Sequence, residues 1–240
     1  MPGTDRNVCP TQMNQRKRIA IYGGTFDPVH NGHIEVAQTI VALFDIDEFL
    51  FMPARIAPHK TERRISAGFH RYTMLALVTN NEDKMRVSTF ELERPERQFT
   101  VDTLRHFRLQ YGPNLDLFFV MGADSWSEIT TWREWQELPQ LANLVVITRP
   151  TYEVGLDHVG QEVAEHIVDL HGLDRCVDDS SGAGKIYFTD AVLRDVSATQ
   201  VRVAAASGDD NLENLVPPAV AQYIRKYGLY RNTNEARFNC

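Results

Sequence analysis

Two histidines three residues apart follow a glycine-rich turn near the start of the chain. His30 and His33 come after Gly23-Gly24 and Asp27-Pro28, with an apolar run before the glycines and apolar residues at helical spacing afterwards. This pattern predicts a strand, a turn and a helix that starts at the histidines. Unpaired backbone N–H groups and the helix dipole attract anions there, and imidazoles can donate hydrogen bonds to phosphate oxygens. The segment therefore predicts a phosphate-binding site.

Two other interpretations of this segment stay open. Both histidines can be surface side chains beside an ordinary turn, although a pair at this spacing behind such a turn makes that a weak explanation. A metal site is the second alternative, but no cluster of Cys, Asp or Glu with ligand spacing lies nearby. The dinucleotide fingerprint Gly-x-Gly-x-x-Gly and the Walker lysine loop are both absent from it.

A second junction of loop and helix lies in the last third of the chain. Ser197 is a suitable helix N-cap, and Thr199 and Arg202 fall in the first turn that follows. A hydroxyl and a guanidinium at a helix start can bind phosphate oxygens. A capped helix with a solvated arginine explains the same residues equally well when the segment is taken alone.

Composition and charge restrict the class of protein. The chain has 240 residues, of which 43% are apolar, and its net charge is −7. An acidic chain of ordinary hydrophobicity is typical of a globular protein and argues against a general nucleic-acid binder, which usually carries a basic stripe. A site for anionic substrates must then be locally basic.

Cysteine usage and hydropathy predict a cytoplasmic protein. The three cysteines, Cys9, Cys176 and Cys240, lie far apart and form no disulfide framework or zinc motif. The first 18 residues are polar, unlike a signal peptide, and no apolar run approaches the roughly 18 residues that a membrane span needs. We therefore expect neither membrane nor nucleic-acid partners.

Strand-like and helix-like segments alternate along the chain. Strands are predicted at Ile19–Tyr22, Phe49–Met52, Arg86–Phe90, Leu117–Met121, Leu144–Thr148 and Ile186–Phe188. Helices are predicted at Ile34–Phe44, Phe69–Asn80, Val101–Tyr111, Glu128–Leu138, Gln161–Leu170, Ala198–Ala206 and from Val216-Pro217-Pro218 to Tyr227, with Gly228 as its stop. A loop is predicted at Asp178–Gly184. The alternation predicts an α/β fold, Rossmann-like and doubly wound, with a mostly parallel sheet, helices on both faces and a small C-terminal helical part.

This pattern also sets the expected domain limits and the expected place of ligands. We expect a flexible leader over residues 1–17, a single domain over 18–231 and a flexible tail over 232–240. In such sheets ligands bind outside the carboxyl ends of the strands, where the glycine-rich turn would lie.

The two phosphate elements resemble those of a known enzyme superfamily. Gly-Thr-Phe-Asp-Pro-x-His-x-Gly-His, ending at His33, resembles the signature of the His-x-Gly-His nucleotidyltransferases, which transfer a nucleoside monophosphate and release pyrophosphate. Ser197–Arg202 resembles their Ile-Ser-Ser/Ala-Thr-x-x-Arg motif, with Val196 in place of the isoleucine. Two matching motifs in the right order support each other.

The middle of the chain resembles one family of that superfamily, the bacterial nicotinate mononucleotide adenylyltransferases. The resemblance runs from about Arg18 to Arg231. Its further motifs are Pro58-His59-Lys60, Arg71-Tyr72-x-Met74-Leu75, Phe99–Leu104, Met121–Ser125, Thr131-Trp132, Arg149-Pro150 and Gly228-Leu229-Tyr230. It implies adenylyl transfer from ATP to nicotinate mononucleotide, giving nicotinate adenine dinucleotide and pyrophosphate, a step of NAD biosynthesis.

The resemblance also implies roles for individual residues. The catalytic residues would be His30, His33 and Arg202. ATP would be bound by Gly23, Gly24, Thr25, Phe26, His30, His33, Ser197, Thr199 and Arg202. The mononucleotide side would be lined by His59, Lys60, Thr100, Asp124, Trp132 and Arg149. Mg²⁺ would arrive bound to the ATP phosphates, and no dedicated protein cage for a metal is expected.

Each residue on the mononucleotide side also has a simpler explanation. Trp132 can be a half-buried surface anchor, Asp124 and Thr100 can cap helices, and Arg149 can pair with a carboxylate. Arg55 stands where relatives have a smaller residue, which implies different contacts with the acceptor in the loop after the second strand.

Other functions share parts of this pattern. A sister enzyme that uses nicotinamide mononucleotide or phosphopantetheine has both phosphate motifs, and so does an inactive nucleotide-binding module. A class I tRNA synthetase core shares the histidine motif, but this chain is short and acidic and has no anticodon-binding region. Both a monomer and a homo-oligomer are compatible with the sequence.

Overall fold

Seven parallel strands form one sheet through the protein. The computed structural model describes residues 16–55, 65–148, 155–173, 184–190 and 196–231. The strands are β1 (Lys17–Gly24), β2 (Glu48–Pro53), β3 (Met85–Val87), β4 (Leu115–Gly122), β5 (Asn143–Ile147), β6 (Ile167–Asp169) and β7 (Ile186–Thr189). Their order is β3-β2-β1-β4-β5-β7-β6, and every neighbouring pair is parallel. The predicted Rossmann-like α/β fold is confirmed.

Helices connect the strands and complete the C-terminal part. They are α1 (Asn31–Leu43), α2 (Gly68–Thr79), α3 (Phe90–Glu93), α4 (Thr100–Tyr111), α5 (Ala123–Ser127), α6 (Leu138–Leu141), α7 (Gly160–Ala164), α8 (Ala198–Ser207), α9 (Leu212–Leu215) and α10 (Pro218–Tyr227). Gly228 ends α10 in the left-handed conformation at φ 60°, as predicted for a helix stop. Among the described residues, no helix is long and apolar enough to cross a membrane.

Both faces of the sheet are buried. In β4, Phe118 and Val120 pack in a core with helices α1, α2, α8 and α10, whereas Leu117, Phe119 and Met121 pack in a second core with α4, α5 and α6. A strand between two cores needs apolar residues at every position, which explains the continuous apolar run in the sequence.

The order of the strands changes direction beside β1. This strand pairs with β2 on one side and with β4 on the other, so the connections from β1 and from β4 run to opposite halves of the sheet. A crevice forms at such a switch point outside the carboxyl ends of the strands. The turn after Gly24 and the helix after Gly122 both open onto it.

Three predicted elements differ from the structure. The predicted strand Arg86–Phe90 ends at Val87, because the Ser88 hydroxyl accepts a hydrogen bond from the Phe90 N–H and α3 begins there. The predicted helix Gln161–Leu170 is wrong in its second half. There the β-branched pair Ile167-Val168 joins β7 as an edge strand.

The third predicted element, the helix Glu128–Leu138, is also wrong. After α5 ends at Ser127, the chain there forms two 3₁₀ turns at Ile129–Thr131 and Trp135–Glu137, and α6 begins only at Leu138. The Thr131 hydroxyl donates to the Glu128 carbonyl, and Glu134 takes a left-handed conformation at φ 51°. Both features compete with a continuous helix.

The described structure includes two residues before the predicted domain start. Lys17 is the first residue of β1, and Arg16 donates to the Pro113 carbonyl and pairs with Asp116. The rest of the predicted leader, the predicted tail and most of the predicted loop Asp178–Gly184 lie outside the described residues.

Candidate active site

The turn after β1 is built around the ring of Phe26. This residue takes a left-handed conformation at φ 48°, and its ring is 2% exposed against Tyr22, Phe51 and His33. A Cβ atom on Gly24 would lie 2.9 Å from that ring, so this position must be glycine for the ring to fit. The packed ring fixes the path of the chain into α1.

The two histidines form a stacked pair at the start of α1. His30 is the N-cap of the helix and is 8% exposed, while His33 lies in the first turn and is half-buried. Their ring centroids are 3.6 Å apart and the ring planes meet at 28°. The predicted position of both histidines at a helix start is confirmed.

A hydrogen bond orients the ring of His33. Its Nδ1 atom accepts from the backbone N–H of His30 at 3.1 Å. Since that nitrogen is an acceptor, the proton of a neutral ring is on Nε2. In a neutral His33 ring the Nε2–H group is therefore the donor, and it can donate to an anion without a positive charge.

The second phosphate element is a capped helix whose arginine crosses to the first. Ser197 caps α8 by accepting from the Gln200 N–H at 3.2 Å, and Gln200 in turn accepts from the Ser197 N–H at 2.6 Å. Arg202 donates to the Asp27 carbonyl at 2.8 Å and to the Thr199 hydroxyl at 2.8 Å. The guanidinium thereby joins α8 to the turn after β1.

These two elements enclose a cavity of about 110 Å³. Its lining consists of Thr25, Phe26, Asp27, His33, Ile65, Ala198 and Arg202. Of the other predicted ATP-binding residues, His30 and Thr199 contact lining residues, namely His33 and Arg202. Ser197 directly precedes Ala198 of the lining, and Gly23-Gly24 leads into the turn that forms part of it. An imidazole and a guanidinium in the lining of one small cavity suit an anion.

Three residues of the predicted mononucleotide side lie at the same edge of the sheet. Thr100 is the first residue of α4, so its backbone N–H is one of the free donors of that helix. Asp124 is exposed in the first turn of α5, directly after β4, and Gly122 rather than Asp124 is the N-cap. Trp132 is half-buried.

Aromatic rings connect that side to the phosphate turn. The Trp132 ring meets Phe119 of β4 edge to face, with centroids 6.2 Å apart. A Cβ atom on Gly23 would lie 3.4 Å from the same Phe119 ring. Arg133, next to Trp132, lies 5.0 Å over the ring of Phe99, the residue before Thr100. Trp132 therefore lies close to the start of α4.

The other predicted mononucleotide residues, His59, Lys60 and Arg149, lie outside the described residues. Arg55, at the end of the described part of that loop, donates to the Arg94 carbonyl. This contact ties the loop after β2 to the loop between α3 and α4. Arg149 directly follows Thr148, which is fully buried after β5.

Sequence reasoning assigned no role to three residues that shape the cavity. Asp27 and Arg71 are buried at 4% and 2% exposure, and Tyr230 donates to the Asp27 carboxylate. Burial lowers the pKa of Arg71, and the nearby Asp27 opposes that shift. A charged residue within the apolar face of α2 was the one available signal for this cluster, since charged side chains are rarely buried without partners.

A family model and individual relatives both identify the family of the chain. Residues 21–204 match the Cytidylyltransferase-like family. A relative from Thermoanaerobacter sp. (strain X514), named "Probable nicotinate-nucleotide adenylyltransferase", is 34% identical over 93% of this chain and 99% of its own length. A relative from Corynebacterium jeikeium (strain K411) with the same name is 36% identical over 87% of this chain and 98% of its own length.

Solved structures show the same fold. The nicotinic acid mononucleotide adenylyltransferase of Plasmodium falciparum, complexed with APC, aligns over 89% of this chain and 97% of its own at a TM-score of 0.66 and 23% identity. The same enzyme complexed with NaAD aligns over the same shares at 0.67. The chain thus belongs to the Cytidylyltransferase-like family and, within it, to the nicotinate-nucleotide adenylyltransferases, nucleotidyltransferases that act in NAD biosynthesis.

Proposed function

We propose that the chain joins ATP and nicotinate mononucleotide into nicotinate adenine dinucleotide, with the triphosphate held in the cavity between α1 and α8. The observation that carries this proposal is the convergence of His33 and Arg202 on one cavity at the switch point of the sheet. Both side chains present N–H donors there, which suits the phosphate oxygens of ATP and provides a locally basic site in an acidic chain.

Different groups of the site bind or support different parts of ATP. The backbone of Gly23, Gly24, Thr25 and Phe26 forms the turn against which the nucleotide lies. His33 donates to the phosphate that is attacked, and His30 supports it through the backbone N–H that orients its ring. Arg202 binds the leaving pyrophosphate. Ser197 and Thr199 hold the start of α8 and the guanidinium in place.

The reaction needs positioning more than proton transfer. The phosphate of the mononucleotide is ionised at neutral pH, so one of its oxygens attacks the α-phosphorus of ATP directly. A P–O bond forms to the mononucleotide as the bond to the β-phosphate breaks, and the electron pair leaves with pyrophosphate. The enzyme lowers the barrier by aligning the two phosphates and by stabilising the charge that develops on them.

The mononucleotide lies on the side of β4 and α4. Trp132 offers a flat face to the pyridine ring, the Thr100 backbone N–H meets the nicotinate carboxylate, and Asp124 accepts from ribose hydroxyls. His59, Lys60 and Arg149 complete this side near the phosphates.

Mg²⁺ would be held mainly by the ATP phosphates beside His33 and Arg202, where it would spread their negative charge. The described residues contain no group of three or more His, Cys, Asp or Glu side chains that could hold a metal ion. This ion keeps several waters and takes oxygen ligands, so phosphate oxygens beside His33 and Arg202 suit it.

Pyrophosphate release tests this function and its acceptor. Purified protein is given ATP and Mg²⁺ with nicotinate mononucleotide, nicotinamide mononucleotide or phosphopantetheine in turn. We expect fast release with nicotinate mononucleotide only. Equal rates on both mononucleotides would reject the acceptor specificity, release with phosphopantetheine alone would indicate the sister enzyme, and ATP binding without release would indicate an inactive module.

Location and assembly stay predictions. The cytoplasmic location rests on the scattered cysteines. Gel filtration with light scattering distinguishes a monomer from a homo-oligomer.

A further inference from the structure

A buried polar cluster joins three distant parts of the chain behind the cavity. Tyr230, which follows α10, donates from its hydroxyl to the Asp27 Oδ1 atom at 2.7 Å, across 203 residues of sequence. The Asp27 Oδ2 atom accepts from the Ser66 backbone N–H at 3.3 Å. The carbonyl of Asp27 accepts from Arg202 at 2.8 Å. One residue of the phosphate-binding turn therefore contacts the C-terminal segment, the segment before α2, and α8.

Arg71 reinforces the same junction from α2. Its Nε atom donates to the Ser66 carbonyl at 3.0 Å, and its Nη1 atom donates to the Thr25 carbonyl at 2.8 Å. Ser66 is thus held through both of its backbone polar groups, by Asp27 on one side and by Arg71 on the other. Its neighbour Ile65 and two residues of the turn, Thr25 and Asp27, line the cavity.

Two further observations show that Tyr230 is held in place at this junction. Its backbone is left-handed at φ 67°, a conformation that aromatic residues rarely adopt unless their surroundings fix it. Burial and the Asp27 carboxylate raise the pKa of Tyr230 far above its ordinary value. The phenol therefore stays protonated and remains a donor to the carboxylate at physiological pH.

We propose that Tyr230 is a positioning residue for adenylyl transfer, which acts through Asp27 to set the phosphate-binding turn, residues 65–66 and Arg202 in one fixed arrangement. This inference rests on the proposed function of the cavity as the triphosphate site. The C-terminal segment then contributes to catalysis without touching a reacting atom. A hydrogen bond from a phenol to a buried carboxylate is short and strong, so its loss loosens the turn although Arg71 and Arg202 still contact it.

The expected kinetic signature follows from this role. Tyr230→Phe keeps the ring and removes only the hydroxyl, so the ATP phosphates still find His33 and Arg202 but in a looser arrangement. Displacements of about 1 Å at reacting groups cost on the order of 100-fold in rate. We expect kcat for pyrophosphate release to fall by roughly 10- to 100-fold, with a much smaller change in the KM for ATP.

A matched control comes from the same helix region. Tyr223 lies on α10 and its hydroxyl makes a 2.8 Å hydrogen bond with His70 of α2, but it does not contact the turn. Tyr223→Phe therefore also removes a tyrosine hydrogen bond, in this case the one between α10 and α2. We expect its kcat to match that of the wild type.

The test measures kcat and KM for the wild type, Tyr230→Phe, Asp27→Asn, the double variant and Tyr223→Phe, with melting curves for each. If Tyr230 acts through Asp27, the double variant loses no more activity than the worse single variant. Unchanged kcat in Tyr230→Phe, or fully additive losses, would overturn the inference while an active wild type upholds the proposed function. An inactive wild type would overturn both, and if Tyr230→Phe does not fold, the kcat of Asp27→Asn decides.

Discussion

His33 combines a fixed ring orientation with a place on the cavity lining. Its Nδ1 atom is held by the His30 backbone and its ring packs against Phe26, so the Nε2–H donor has a defined position before a ligand arrives. Donors that are already in position stabilise the charge of a transition state without reorganisation. This makes His33 the residue whose loss should affect the chemical step most.

We expect His33→Ala to lower kcat by about 100- to 1,000-fold, the usual cost of one such donor. Single-turnover pyrophosphate release at saturating ATP and mononucleotide measures it, and circular dichroism checks that the fold is kept. His33→Gln retains an N–H donor and should recover part of the rate. Near-normal turnover in the alanine variant would remove His33 from the mechanism.

Glu91 makes a second prediction at the level of a single residue. It is half-buried in α3, and its Oε1 atom accepts from the Thr103 hydroxyl at 3.1 Å. Burial raises the pKa of this carboxyl to about 7, with the Thr103 hydrogen bond opposing the shift. Between pH 4.5 and about 7, the folded protein therefore retains a proton on Glu91 that the unfolded chain has lost.

Stability should consequently fall as the pH rises from about 4.5 through 7. Between the unfolded and folded pKa values the free energy of unfolding decreases by up to about 1.4 kcal/mol per pH unit. Urea unfolding from pH 5 to pH 8 measures this slope. Glu91→Gln should flatten it, whereas Glu93→Gln, on the exposed side of the same helix, should leave it unchanged. A slope that persists in Glu91→Gln would contradict the assignment.

Whole elements differ in how well the sequence predicts them. The strands β1, β2, β4 and β5 are continuous apolar runs, because each is buried on both faces, and the sequence predicts them within a few residues. Short elements such as α3 and β6 depend on contacts from elsewhere. Ile167-Val168 forms a strand only because β7 offers an open edge, which local sequence does not reveal.

Hydrogen bonds among three polar side chains, those of Thr148, His171 and Asp169, hold the edge strand β6 at its carboxyl end. The His171 ring contacts the Thr148 hydroxyl through Nε2 at 2.6 Å and Asp169 through Nδ1. The backbone N–H of His171 and then its ring lower the pKa of Asp169. An acid with a lowered pKa stabilises the fold above its ordinary value of 3.8, and that contribution is lost as the pH falls through the lowered value.

We therefore expect His171→Ala to loosen β6 without disturbing the centre of the sheet. Hydrogen exchange should become faster in peptides that cover residues 165–173 and stay slow in β1 and β4, since a three-residue strand with one partner has little other support. His166→Ala, before the same strand, is the control. If β6 is equally protected from hydrogen exchange in the two variants, the hydrogen bonds among Thr148, His171 and Asp169 are not what holds it.

At the scale of the molecule, the candidate site is assembled from parts that are far apart in sequence. Arg202 reaches the turn across 175 residues and Tyr230 across 203. The motifs in the sequence predicted that Arg202 and His33 share a phosphate site, and both line the cavity. The role of Asp27, Arg71 and Tyr230 could not be predicted, because it depends on where α2 and the C-terminal segment pack.

Because no part of the chain forms this cavity alone, ATP should bind only the folded protein. Binding then raises the melting temperature, and at 100 times its dissociation constant a ligand adds about 2.7 kcal/mol, or roughly 5–10 °C for a chain of this size. Differential scanning fluorimetry with ATP and Mg²⁺ and no mononucleotide measures the shift.

Arg202→Ala should lose most of this shift in melting temperature, since that guanidinium is one of the phosphate donors. Arg225→Ala, which removes an ion pair between α10 and Glu213 of α9 and does not line the cavity, should keep it. A full shift in Arg202→Ala would mean that the triphosphate binds elsewhere.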